Sequence, residues 1–568
     1  MKPSNSDSTT RSHVVRNIHI AFLLLVLVAT IITLYIQPVY LFQNNSGTKV
    51  LSKVETKIVN GKSKVGKIAI EKAPGFLAGI DEKTRIGLVN LPYDDAKSCG
   101  INGSITVVDF DVVSNDITWN VLYPSWIDEE GESGSQPTCP TIPMPNFSAF
   151  NDIDLVVAQL PCRRPEAGWN RDVFRLQVHL VAANLAVKKG KRNKINGAVK
   201  LVFTSRCEPM RDLFRCDDLV KKDGTWWMYE VDVMRLEDKV RSPPGTCELI
   251  SPLLDEGPNK GFDAGKIKPL PSHRRQREAY VTVLHSSDTY VCGAITLAHS
   301  IRKVGSTRDL VLLHDEFINP TQLRFLGNAG WSLRQIERIH NPHPRSDRLY
   351  EYSYSKFHIF RLTEYDKIVF LDADIMVLRN LDMLFNFPSI SARGDHDELF
   401  NSGIMVVEPS NCTFKTFMLN INSVKSYDGG DQGFLNEMFV WWHRLPRRTN
   451  FFKVIWANTT EEKLKFDSMF VADPPQLYAI HYFGLKPWMC YRDYDCNWDL
   501  ETARGFANDE AHWRWWRVYD GMDEGLKKMC RLSIKQKRNL NHLRLQASKM
   551  RYSDGHWKWN ITDPRKDI

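Results

Sequence analysis

The sequence predicts an α/β protein. A largely parallel sheet flanked by helices occupies its C-terminal half. A second α/β region precedes it, and one membrane-spanning helix lies near the N-terminus. Three observations carry this prediction. From Glu278 onward, short apolar runs alternate with helix-period segments, the pattern of βαβ units. Upstream, three further strand-like runs surround one long helical pattern. Residues 18–36 are an apolar run without Asp, Glu, Lys or Arg, about the roughly 20 residues that cross a bilayer.

The chain has 568 residues, with 43% apolar and 25% charged side chains. That supports more than one buried core and excludes wholesale disorder. Lys and Arg number 75 against 67 Asp and Glu, an excess of +8. The excess is small for this length, and with no compact Lys/Arg block before the C-terminal tail it does not point to a nucleic-acid partner.

Residues 1–17 read as a cytosolic tail. Lys2, Arg11 and Arg16 precede the 18–36 segment, and no charge follows before Lys49. The positive-inside rule keeps that end in the cytosol. A cleaved signal would end in a small-x-small site, whereas this run ends in Tyr35, Gln37, Pro38 and Tyr40. The segment is therefore expected to be a signal-anchor, leaving a single-pass type II protein with a lumenal body. Asn44, Asn102, Asn146, Asn411, Asn458 and Asn560 head Asn-x-Ser/Thr sequons, which suit that side of the membrane. Eleven cysteines are compatible with disulfides there; Cys490 and Cys496 are close enough to pair, with buried free thiols the alternative.

Residues 37–95 carry Lys, Gly, Ser and Asn with scattered apolar residues and are expected to be a stem. Residues 96–275 are expected to be an accessory α/β domain. Its strands are SITVVDFDVV (104–113), DIDLVVAQL (152–160) and AVKLVFTS (198–205). Its helix spans 172–189, with Phe174, Val178, Val181 and Leu185 on one face. Residues 276–500 form the expected catalytic domain. Strands are predicted at 279–285, 309–315, 367–374 and 403–409, with a helix over 290–305 ending at Gly305. Residues 501–568 read as a basic, Trp-rich extension, with a solvated basic helix near 535–551.

The sharpest chemical feature is Ile368-Val-Phe-Leu-Asp-Ala-Asp374, a buried strand ending in two carboxylates. In an extended chain residues i and i+2 share a face, so Asp372 and Asp374 are expected to converge on a hard divalent cation. A turn with two exposed aspartates is the plainer alternative. Asn401 to Val407 reads as a loop entering a strand. Asp428-Gly-Gly-Asp-Gln-Gly433 offers acceptors and a flexible backbone for a ligand, or simply a turn capping the next helix. His481-Tyr-Phe-Gly-Leu-Lys-Pro-Trp488 places a metal-ligand type beside a glycine and a phosphate-binding type.

In this order and spacing, the four clusters resemble the retaining nucleotide-sugar glycosyltransferases of the glycogenin-like family 8. These have a GT-A type, Rossmann-like catalytic domain. The resemblance covers about 279–490. It implies that Asp372, Asp374 and His481 bind Mn²⁺, with Mg²⁺ the alternative ion. Gly484 and Lys486 would meet the diphosphate. Leu284, Ser286, Ser287 and Tyr290 would hold the uridine. Lys356, Ala373, Asn401, Ser402, Asp428, Asp431 and Gln432 would lie along the donor, with Asp431, Gln432 and Lys356 nearest the reaction.

The segments LHSS, EYSYSKF, FLDADIMVLRNLD and HYFGLKPW are further similar to the plant glucuronic-acid-substitution-of-xylan group, and this likeness extends to the anchor and the accessory region. It implies a Golgi enzyme that moves glucuronate from UDP-glucuronate to xylan. A glucuronate carboxylate needs a cation, with Arg345 or Arg348 the expected partner and Lys356 the backup. The rival readings are transfer of another UDP-sugar to another acceptor, and a membrane-tethered sugar-binding protein without activity.

Overall fold

A computed structural model describes residues 71–568 apart from 128, 130–138, 165, 167, 248, 250–276, 345–349, 397, 455–458, 562, 564 and 566–568. The expected tail, signal-anchor and most of the stem lie outside the described residues. Among the described residues no helix is long and apolar enough to cross a membrane.

The stem expectation fails at its C-terminal end. β1 (Arg85–Val89) is an inner strand of a six-stranded sheet, and Ile86, Leu88 and Val89 are fully buried. The polar residues on either side mask this short run in the sequence. The sheet continues with β2 (Ser104–Val108), β3 (Leu155–Gln159), β4 (Ala198–Thr204), β5 (Leu219–Asp223) and β6 (Trp226–Asp232), in the order β2-β1-β3-β4-β6-β5. The first four are mutually parallel, while β6 runs antiparallel to β4 and β5. Helix α1 (Val173–Lys189) packs on this sheet. Asp172 caps it by accepting from Arg175 N at 3.0 Å. Gly87 allows the close approach: a Cβ there would stand 2.8 Å from Ile153 Cδ1 and 3.0 Å from Leu185 Cδ2. Helix α2 (Val233–Val240) follows β6 directly, capped by Asp232.

The second sheet begins with β7 (Glu278–Leu284). Helix α3 (Val291–Lys303), β8 (Asp309–His314), α4 (Pro320–Asn328) and β9 (Ser332–Gln335) follow in βαβ fashion. Then come β10 (Lys367–Leu371), β11 (Ile375–Val377), β12 (Ser391–Gly394), β13 (Phe400–Val407), α5 (Asn411–Asn420), α6 (Asp431–Met438), β14 (His443–Leu445), β15 (Phe451–Phe452), α7 (Thr460–Val471) and β16 (Ala479–His481). The seven-stranded order is β14-β12-β13-β10-β7-β8-β9. β7 pairs in parallel with both β8 and β10, so the strand order reverses between β7 and β10. Ligands of open α/β sheets lie beyond the carboxyl ends of strands at such a point. β13 runs antiparallel to β10, with Leu371 opposite Ile404. β11, β16 and β15 make a small separate sheet.

The expected boundary at 500/501 does not separate two packing units. Helix α8 (Asp509–Asp520) buries Trp515 and Trp516 in the same core as Ile295 and Leu297 of α3, and Cys292 is bonded to Cys530. Helix α9 (Ile534–Met550) buries only Leu540 and Ala547 and is otherwise solvated or half-buried. Cys139–Cys247 and Cys162–Cys207 staple the first half, and Cys490–Cys496 closes a short loop. Cys216–Cys412 joins the first half covalently to the second. Cys99 is a buried free thiol.

Candidate active site

The two aspartates beyond β10 converge through a turn rather than through strand alternation. Ile375 N donates to Asp372 O at 3.0 Å, reversing the chain before β11, and Asp372 N donates to Gly403 O at 2.8 Å. His481 arrives from the end of β16, which pairs antiparallel with β11 and sets His481 opposite Ile375. One ligand atom from each of Asp372, Asp374 and His481 lies within 4.8 Å of the others. Two glycines make room for this. A Cβ on Gly403 would lie 2.5 Å from His481 Cε1, and one on Gly293 of α3 would lie 2.3 Å from Ala373 O.

Lysines balance these carboxylates. Lys486 Nζ is 2.7 Å from Asp374 Oδ2, and His481 Nε2 is 3.3 Å from Asp374 Oδ1. Lys356 Nζ is 3.2 Å from Asp372 Oδ1 and 2.5 Å from Asp431 Oδ2. Burial alone would raise the Asp374 carboxyl, but Lys486 and His481 outweigh it and hold the group well below the usual carboxylate range. For Asp372 burial prevails over Lys356, and its carboxyl is raised. Burial would depress Lys356, yet Asp372 and Asp431 lift it above the ordinary lysine value.

Two carboxylates and one imidazole are the donor set of a hard-to-borderline divalent ion. His481 Nδ1 is buried without a hydrogen-bond partner. The residues fit the expected ion. A second grouping, Cys490, Asp495 and His512, is not comparable, because Cys490 is bonded to Cys496 and Lys453 Nζ sits 2.5 Å from Asp495 Oδ2.

A cleft of about 300 Å³ opens at the β7/β10 crevice. Leu284, Ser287 and Tyr290 line one part; Lys356, Asp372, Ala373, Asp374 and Asp431 line another. Trp488 braces Tyr290, with ring centroids 5.9 Å apart and its Nε1 donating to Thr289 O. Ser286 is not in the lining. Its φ of 62° turns the chain, and its N–H donates to Asp315 Oδ2 at 2.7 Å. His285, Tyr350 and Ser353 line the cleft and were not among the residues expected there. His285 sits inside the LHSSDTY run, and Tyr350 and Ser353 in the segment leading to Lys356, so proximity in sequence was the available signal.

Behind the cleft, Asn401 and Ser402 belong to β13 itself, not to a loop before it. Gln432 Oε1 accepts from Asn401 Nδ2 at 3.0 Å and Ser402 N at 3.1 Å. Its Nε2 donates to Asp395 Oδ2 at 3.0 Å and to Tyr427 Oη at 2.7 Å. Asp428 is a cap: its Oδ1 accepts from Gly430 N at 2.9 Å, Gly433 N at 3.1 Å and Ser426 Oγ at 2.6 Å. It therefore organises the start of α6 and is absent from the cleft lining. Gly484 is also outside that lining. Its φ of 70° makes a left-handed turn, and a Cβ would meet Asn497 Oδ1 at 2.3 Å. Arg345 and Arg348 lie outside the described residues. Lys356, the backup carboxylate partner, already bridges two carboxylates of this chain.

Known proteins align with both halves. The family described as the GUX1-5 N-terminal domain matches residues 61–247, and Glycosyl transferase family 8 matches residues 281–390. UDP-glucuronate:xylan alpha-glucuronosyltransferase 2 of Arabidopsis thaliana is 50% identical over 92% of this chain and 88% of its own length. UDP-glucuronate:xylan alpha-glucuronosyltransferase 1 of the same plant is 45% identical over 87% of this chain and 73% of its own. Glycogenin-1 of Caenorhabditis elegans is 34% identical over 37% of this chain and 51% of its own.

Proposed function

The chain belongs to the family of UDP-glucuronate:xylan α-glucuronosyltransferases, and from that premise we propose that its cleft transfers α-glucuronosyl residues from UDP-glucuronate to the xylan backbone. The observation that carries the proposal is the meeting of Asp372, Asp374, Lys356 and Asp431 at the β7/β10 crevice, beside Leu284, Ser287 and Tyr290. One end offers apolar and hydroxyl surface for a nucleoside. The other gathers the charges that a diphosphate and a sugar require.

Asp372, Asp374 and His481 would hold a divalent ion, Mn²⁺ or Mg²⁺, which supplies positive charge against the departing diphosphate. Lys486, buried beside Asp374, adds a fixed cation on the same side. The reaction retains configuration. The acceptor oxygen bonds to the sugar's anomeric carbon on the face from which the UDP oxygen leaves, and the acceptor proton passes to that oxygen. Asp431 lines the cleft at the reacting end, and Gln432, fixed by four hydrogen bonds, keeps Asn401 and Ser402 in register with it. The protein acts in the Golgi lumen as a single-pass type II membrane protein. The apolar 18–36 run and the exposed sequon residues Asn102, Asn146, Asn411 and Asn560 support that location.

The test is UDP release by purified protein with xylan oligomers and a panel of UDP-sugars, with and without EDTA. UDP-glucuronate turnover that EDTA abolishes is expected, with an α-linked branch by NMR. A β-linked product overturns the retaining reaction. Equal turnover of UDP-glucose overturns the donor assignment. Full activity in EDTA overturns the ion.

A further inference from the structure

The first half of the chain contains a second cleft, of about 460 Å³. Residues after β2, from Val112 to Trp119, form one wall, and Arg163, Glu166, Trp169 and Arg171 before α1, with Phe174 of its first turn, form the other. We propose that it binds the xylan backbone of the acceptor at sugar units remote from the one being modified, an inference that rests on the transfer reaction above.

Its position suits a ligand. The parallel strands β2, β1, β3 and β4 direct their carboxyl ends to one edge of the sheet, where ligands of α/β sheets lie. Both walls follow directly from such ends.

Its chemistry suits an uncharged polyol. Trp169 and Phe174 offer half-buried ring surface, and the exposed Ser114, Asn115 and Thr118 offer hydroxyl and amide groups. Flat apolar surface interleaved with a few polar groups matches pyranose rings, which carry C–H faces and equatorial hydroxyls. The guanidiniums of Arg164 and Arg175 hold the Trp169 ring at 4.7 and 5.2 Å. Trp119 of the lining lies buried, stacked on Tyr123 with ring centroids 4.6 Å apart and its Nε1 unbonded. The charged lining cancels: Arg163 and Arg171 stand against Glu166 and Asp172, and Arg163 Nε is 3.0 Å from Asp172 Oδ2. A phosphate or a uronate would leave that balance unsatisfied, whereas a neutral pentose backbone does not.

Its connection suits an acceptor. Arg171, in the wall, reaches into the catalytic half, with Nε 3.6 Å from Glu398 Oε1 and a terminal nitrogen 3.9 Å from Glu437 Oε1. Glu398 belongs to the turn closed by Asp395 N donating to Leu399 O at 2.9 Å, and Asp395 holds Gln432. Glu437 lies on α6, which begins with Asp431 in the catalytic cleft. Arg171 thus stands between this cleft and the elements that carry Asp395 and Asp431.

The experiment uses the full chain with two substitutions on exposed lining positions, Val112→Asp and Asn115→Ala. KM is measured for xylotriose and xylodecaose, and binding of xylodecaose without donor is followed by saturation-transfer NMR. For the native protein, the longer oligomer has the lower KM and gives a transfer signal. In both variants its KM rises about tenfold and the signal weakens, while kcat and the xylotriose KM stay unchanged. A native chain-length advantage that persists in both variants overturns the remote cleft alone. Failure of the native protein to glucuronidate either oligomer overturns the transfer reaction itself, and the cleft's role with it.

Discussion

Lys356 Nζ lies 2.5 Å from Asp431 Oδ2 while also standing 3.2 Å from Asp372 Oδ1, so a single buried ammonium joins the carboxylate after β10 to the one that opens α6. Removing it leaves two half-buried carboxylates facing each other at the cleft. Lys356→Met is expected to cost about 1–3 kcal/mol of stability, read as a lower urea midpoint, and to abolish transfer. Adding Asp431→Asn should recover part of the loss in a double-mutant cycle. Additive losses would show that the two side chains are not coupled.

Gly403 is where the ligand set is most sensitive to bulk. A methyl group at this position would meet His481 Cε1 at 2.5 Å and Asn401 Oδ1 at 2.8 Å. Gly403→Ala is expected to displace His481 and lower kcat about 10²-fold while the circular dichroism spectrum is kept. Native activity in this variant contradicts the placement of His481.

Stability should depend on pH through Asp212. Burial pushes its carboxyl from 3.8 up to about 7, with Lys239 pulling partly back. A raised folded-state value means that its contribution is complete below 3.8 and is lost as pH rises through about 7. Asp212→Asn removes this titration. Urea midpoints at pH 5 and pH 7.5 should therefore converge for the variant relative to the native protein. An unchanged difference rejects the assignment.

The Cys216–Cys412 bond crosses from the first half to the start of α5. Arg215 reinforces the same seam, 3.2 Å from Glu408 Oε2, and Ser410 Oγ donates to Asp217 Oδ2 at 2.5 Å. Cys216→Ser is expected to cost about 2–5 kcal/mol and to lower the melting temperature under oxidising conditions. An unchanged melting temperature would mean that the polar contacts suffice.

The sequence by itself determined the elements with strong local pattern. The apolar runs of β7, β8 and β10 are buried except at Val283 and mark a sheet without any partner being known. The Asp372/Asp374 pair stands where the apolar run of β10 ends, a place the sequence alone marks. The short β1 was missed because its few apolar residues are diluted by polar neighbours within any window long enough to show a period. Tertiary structure decided the rest. His481 joins the aspartates only because β16 pairs with β11. Asp428 became a cap once the N–H groups of Gly430 and Gly433 turned toward it. The reach of Arg171 to Glu398 and Glu437 depends on how the two halves pack. Such contacts join residues far apart in the chain, and their energies come from burial and geometry that no local window contains.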